Sequence, residues 1–187
     1  MNSAIQNLVI SLGAMQVARK IPFEDPQVLR YVRVAYITTQ AIILGVYYIT
    51  SRKIQSKNDL TLLKYVEPPG AFSEGPGQLV TTTVKDYDLA ETSKLLRAAY
   101  MGIGMMSFMH LYLGYTQPLF VQALMGIKNL YDAKLVEIHL LGKPAVGDLK
   151  RPFKSGSLFG AAVPSPQTDK ASVSNAEKRV GSKKEEF

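Results

Sequence analysis

Three long windows of the chain carry no charged side chain: Met1–Ala18, Val34–Ser51 and Ala98–Ile127, of 18, 18 and 30 residues. A helix needs about 20 largely apolar residues to cross a bilayer, so these windows set the expected fold class. They predict an all-α membrane protein with about three transmembrane helices, over residues 3–19, 28–50 and 95–116. An extramembrane connection over 51–94, an interfacial amphipathic helix over 119–133 and short β segments outside the membrane complete a membrane domain ending at residue 142. Residues 143–187 read as a basic, mostly disordered tail, because Gly, Pro, Ser, Lys and Ala leave too little bulky apolar side chain to bury. The mean hydropathy of +0.02 is then an average over greasy segments and polar connections, not the value of a soluble domain.

Several chemistries are excluded at once. With no cysteine, the chain has no disulfide, no thiolate zinc site and no thiol nucleophile, and two histidines cannot build a histidine cage. No Walker loop, serine elbow or metalloprotease helix occurs. Asp86 and Asp88 are a close carboxylate pair, but beside a Ser/Thr-rich turn they read as helix capping. No nucleophile–base pair stands out, so the chain is expected to be no enzyme and to need no cofactor or metal.

The net charge of +7 is unevenly placed: the last 45 residues hold nine bases against five acids, and Arg19, Lys20, Arg30 and Arg33 collar the first two apolar segments. Arg19 and Lys20 follow the first segment, the reverse of a cleavable signal peptide. Placed in the cytosol, they put the N-terminus in a lumen and, with three spans, the tail in the cytosol. Lys143, Lys150, Arg151, Lys154, Lys178, Arg179, Lys183 and Lys184 are candidate contacts to lipid headgroups or ribosomal RNA.

Within the first segment, Ala4, Asn7, Ser11, Ala14 and Ala18 form one small, polar face suited to close helix approach. In the second, Arg33, Tyr36, Gln40 and Tyr47 fall on one face with Arg30 beside them. Arginines near a helix end can snorkel, but Gln40 lies too deep for that, and the set reads as a strip facing protein or water. In the third, Met101, Met105 and Met109 form a stripe, read either as lipid and packing contact or as an adaptable apolar surface for a client segment. Arg97, Ser107 and His110 lie on another face and join the candidate polar groove. Thr116-Gln117-Pro118 breaks the run, LVTTTV reads as a strand, and the alternation in LVEIHLL suggests a second one.

The strings EDP (24–26), KND (57–59), KYVEP (64–68), DYDL (86–89), FMHLYLGYTQPLF (108–120), IHLLGKPAVGDLKRPFK (138–154) and SLFG (157–160) together resemble one family. It is the fungal endoplasmic-reticulum family named for inorganic phosphate transport, also the third component of the SRP-independent (SND) targeting pathway. The resemblance runs from residue 1 to about residue 160. It implies a multi-pass protein of the endoplasmic-reticulum membrane that targets or inserts client membrane proteins, with the Sec translocon, other SND components, ribosomes and membrane lipids as partners. It also implies a link to phosphate uptake. Direct phosphate transport through Arg30, Arg33 and Arg97, or a passive scaffold working through the tail, are the competing readings.

Overall fold

The computed structural model describes residues 3–69, 76–154 and 165–185, with side chains over 5–69, 76–154 and 165–179. The helices are α1 (Ser3–Ala18), α2 (Pro26–Lys57), α3 (Val84–Leu111), α4 (Gln117–Tyr131), α5 (Lys134–His139) and α6 (Lys170–Glu185). The strands β1 (Leu62–Glu67) and β2 (Gln78–Thr83) form an antiparallel pair with Tyr65 opposite Val80. The chain divides into two compact units, Met1–Lys53 with Ala90–Gly142, and Ile54–Leu89 with Lys143–Phe187.

The expected three-span membrane protein is not what forms. Among the described residues one helix, α2, is long and apolar enough to cross a membrane. At 1.5 Å per residue the 16 residues of α1 reach about 24 Å, short of a hydrocarbon core of about 30 Å. The third window fails for a different reason. The first half of α3 is charged, and its uncharged stretch from Ala98 to Leu111 covers only about 21 Å. Gly114 at φ +73° and Pro118 in the first turn of α4 then end one helix and start another inside what reads, as composition, as a continuous apolar run. A two-stranded sheet is also present, so the fold is mostly helical but neither all-α nor a three-span bundle.

In the first unit α1 lies along α4, with Ala14 and Ala18 of its small face buried at 3 % and 1 % exposure. Two apolar clusters tie the remaining helices together. Val32 and Tyr36 of α2 meet Met106 of α3 and Leu119 of α4. Ile43 and Tyr47 of α2 meet Leu130 of α4 and Ala133 and Val136, backed by Leu95 and Ala99 of α3. The expected strand in LVEIHLL is instead α5: Ala133, Val136 and Leu140, spaced three and four apart, all reach this second cluster, a helical rather than an alternating pattern. Outward, the unit is apolar, with Leu8, Leu12, Tyr31, Val34, Ile37, Met101, Met105 and Tyr112 exposed.

The second unit corrects the reading of the tail. Residues 155–164 and 186–187 lie outside the described residues, but the stretch between them is structured. Gln167 exchanges both backbone hydrogen bonds with Val66, at 2.9 and 3.0 Å, and α6 follows, its Glu177 accepting from Lys64 at 2.9 Å. Asp169 starts α6 by accepting from the Ser172 amide, which holds its carboxyl below the usual carboxylate range. LVTTTV pairs with LLKYVE, not with LVEIHLL. Asp86 belongs to the cap of α3, though Thr83 supplies the capping oxygen: the Thr83 hydroxyl accepts from the Asp86 amide at 3.1 Å and donates to the Asp86 carboxylate at 2.7 Å. Asp88 does not cap. It is fully buried and receives two bonds of 2.6 Å from the Arg151 guanidinium. Tyr87 stacks edge-on between Tyr65 and Phe153, and its hydroxyl accepts from the Phe153 amide at 2.7 Å.

Candidate functional site

The site forms along one face of α2, because residues spaced three and four apart share a face and α3 and α4 close over it. Arg33 and Tyr36 line a cavity of about 290 Å³ together with Met106, Ser107 and His110 of α3 and Leu119 of α4. One and two turns farther along α2, Gln40, Ile43 and Tyr47 line a second cavity of about 320 Å³, closed by Leu95, Ala99 and Gly102 of α3 and Gln122, Gly126 and Asn129 of α4. The helices approach closely here: a Cβ on Gly126 would sit 2.9 Å from Ile43 Cδ1. A third, largely apolar cavity of about 810 Å³ lies between the end of α1 and the start of α4, with Arg19, Gln117 and Gln122 at its wall.

The first cavity has an informative hydrogen-bond pattern. Arg33 Nε lies 2.9 Å from His110 Nε2, and His110 Nδ1 lies 3.0 Å from the Tyr115 carbonyl. Guanidinium can only donate and a carbonyl can only accept. Arg33 Nε therefore donates to His110 Nε2, and Nδ1 faces the Tyr115 carbonyl. Tyr36 is 7 % exposed, and its hydroxyl has no hydrogen-bond partner among the described residues.

Of the residues singled out for a polar groove, the structure brings Arg33, Tyr36, Ser107 and His110 into one cavity, and Gln40 and Tyr47 into the next. Arg30 and Arg97 are exposed and line neither. Met101 and Met105 face outward at 71 % and 61 % exposure, whereas Met109 packs against the first apolar cluster. Met106, at 1 % exposure, is the methionine that matters for the core, and the stripe reading missed it. Gln122 and Asn129 were missed as well: they belong to the polar face of α4, and that face supplies amides to the second cavity. The basic tail residues divide. Arg151 is turned inward onto Asp88, Arg179 Nε donates to the Asn175 carbonyl at 3.2 Å, and Lys150 and Lys178 are exposed. Lys143 and Lys154 make contacts of their own, and the Lys183 and Lys184 side chains lie outside the described residues. Among the described residues no group of His, Asp or Glu could hold a metal ion.

A family profile described as phosphate transport (Pho88) matches residues 1–184. The chain belongs to the Pho88 family. The resemblance carried by EDP, KYVEP, FMHLYLGYTQPLF and the other strings is thereby established. This Pho88 chain is 46 % identical to the SRP-independent targeting protein 3 of Saccharomyces cerevisiae over 179 residues, 95 % of each chain. It is 39 % identical to the SRP-independent targeting protein 3 homolog of Schizosaccharomyces pombe over 178 residues, 94 % of this chain and 91 % of the relative. A second Schizosaccharomyces pombe protein, uncharacterized, is 46 % identical over 162 residues, 86 % of this chain and 80 % of its own. No solved structure matches.

Proposed function

We propose that this Pho88 chain is an endoplasmic-reticulum membrane factor for SRP-independent targeting of membrane proteins, and that its first unit eases their insertion. The observation that carries the reading is the seam of Arg33, Tyr36, Gln40 and Tyr47 on α2, the one helix among the described residues long and apolar enough to span, lined by polar groups within a unit whose outer surface is apolar. Polar groups at membrane depth are costly unless they face protein or water, so such a seam lowers the barrier for a client's polar flank. The exposed faces of α1, α2 and α3 suit contact with lipid and with the client's apolar segment. The curated relatives named for SRP-independent targeting support the pathway. Ribosome and Sec translocon contacts through exposed basic residues such as Lys150 and Lys178 belong to the same proposal.

Reconstitution tests it. In proteoliposomes carrying the full chain, Arg33→Leu with Gln40→Leu should reduce insertion of a client membrane protein several-fold while the apolar clusters stay intact. Unchanged insertion removes the seam as the working surface. Direct phosphate transport, the reading favoured by the family's description, predicts phosphate uptake into the same liposomes; an insertion factor gives none.

A further inference from the structure

The second cavity of the α2 seam, of about 320 Å³, has no charged side chain among the described residues that line it. It does have unpaired neutral ones. Tyr47 is 6 % exposed, and its hydroxyl has no hydrogen-bond partner among the described residues. Unlike the sealed hydroxyl of Tyr36, it keeps accessible surface, and Tyr47 borders this cavity. Gln40 of α2 and Gln122 of α4 are half-buried and line the same space, and among the described residues their amides have no partner. A phenol and two amides each donate and accept. An ion would meet no counter-charge here, whereas a neutral group with hydroxyl and carbonyl oxygens can pair with all three. The α3 wall is low: a Cβ on Gly102 would meet nothing within 4 Å, so the space over it is open. Ala98, one turn before Gly102, is exposed and gives the cavity a mouth on the outer surface of α3. Met101 and Met105, three and seven residues on, continue that face and are exposed. A single helical turn, about 10 Å wide and 5.4 Å high, needs more room than this cavity has, so its size suits a small ligand and not a client helix.

We infer that this cavity holds the uncharged head of a membrane lipid that carries a hydroxyl beside a carbonyl, the chemistry of a diacylglycerol or a ceramide, with Tyr47, Gln40 and Gln122 as its hydrogen-bond partners. The acyl chains leave past Ala98 along Met101 and Met105. The inference rests on the first unit lying in the membrane, as in the proposed function, but not on any client.

The test uses the purified full chain in maltoside micelles, titrated with dioctanoylglycerol, octanoyl ceramide, trioctanoylglycerol and dioctanoyl phosphatidic acid, with the bound fraction read by native mass spectrometry. Dioctanoylglycerol should bind; trioctanoylglycerol, which lacks the hydroxyl, and phosphatidic acid, whose charge this wall cannot match, should bind at least about tenfold more weakly. Tyr47→Phe removes one neutral hydrogen bond and should weaken binding about fivefold. Gly102→Leu fills the open space over α3 and should weaken it roughly tenfold or more. Ceramide binding in place of dioctanoylglycerol, with the same dependence on Tyr47 and Gly102, supports the site and assigns it to that lipid. Equal binding of trioctanoylglycerol or phosphatidic acid, no binding of either hydroxyl lipid, or wild-type affinity in both variants overturns it. Tyr47→Phe keeps the buried volume, so it carries the test if Gly102→Leu fails to fold. Lipid binding with client insertion absent strikes the insertion reading alone; insertion without lipid binding strikes this inference alone.

Discussion

At the scale of single residues, the strongest constraint lies in a pair that sequence spacing hides. Asp88 and Arg151 are 63 positions apart, and the carboxylate is 1 % exposed beside a guanidinium at 12 %. Arg151→Ala leaves a buried charge without its partner, which costs about 3–5 kcal/mol. Urea unfolding of the full chain should show that loss, while Asp88→Leu with Arg151→Met should recover most of it. A second residue-scale prediction concerns pH. Hydrogen bonds from the Thr61 hydroxyl and amide hold the Asp59 carboxyl below its ordinary value, and the Ser172 amide does the same for Asp169. A carboxyl depressed in the folded state adds stability above its unfolded pKa and loses it as pH falls through the folded one. Thermal midpoints should therefore drop below about pH 4, and Asp59→Asn with Asp169→Asn should flatten that drop. Asp88 shows why part of the site was illegible. A DYD string reports two carboxylates at one helix start, and only the packed chain tells which one meets the Thr83 cap and which one is buried. The α2 strip was legible because Arg33, Tyr36, Gln40 and Tyr47 need only helical periodicity to share a face.

At the scale of elements, short-range signals were reliable wherever local chemistry decides the outcome. Thr83 and Asp86 start α3 where an N-cap hydroxyl and a carboxylate three residues on would place it. Thr83→Ala removes that bond and should cost about 1 kcal/mol, seen as faster amide exchange at Asp86 and Tyr87. Elements whose form depends on packing were not legible. The alternation in LVEIHLL matches a strand in isolation, but Leu135 and Val136 are neighbours in sequence and both buried, which an exposed-face alternation cannot satisfy. Likewise α6 has a composition too polar to bury a core of its own. Among the described residues its contacts include the buried Ala176 at 3 % exposure and a Lys64–Glu177 pair, with the Gln167 bridge just before it. Close approach also makes Gly77 irreplaceable: an added Cβ would lie 2.6 Å from Val66 Cγ1 and 2.7 Å from the Glu67 carbonyl oxygen. Gly77→Ala should lower the stability of the second unit by about 1–3 kcal/mol, measured as a shift in its urea midpoint.

At the scale of the whole molecule, counting apolar windows gave the wrong number of crossings because hydropathy does not see where helices end. The second unit supplies an independent constraint on topology. It draws residues from both the connection between α2 and α3 and the segment after α5, joined by backbone bonds at Val66 and Gln167 and by the Asp88–Arg151 pair. Backbone hydrogen bonds do not form across a hydrocarbon core of about 30 Å. The chain between Thr83 and Lys143 must therefore leave and return on one face, crossing an even number of times or not at all. A topology that puts the middle connection and the tail on opposite sides is incompatible with this fold. The absence of cysteine makes the consequence directly measurable. Gln78→Cys and Lys178→Cys introduce single thiols at exposed positions of β2 and α6. In sealed microsomes, a membrane-impermeant maleimide should label both variants or neither before detergent is added, and both afterwards. Labelling of one and protection of the other would mean that the sheet and α6 do not share a unit in the membrane-bound protein.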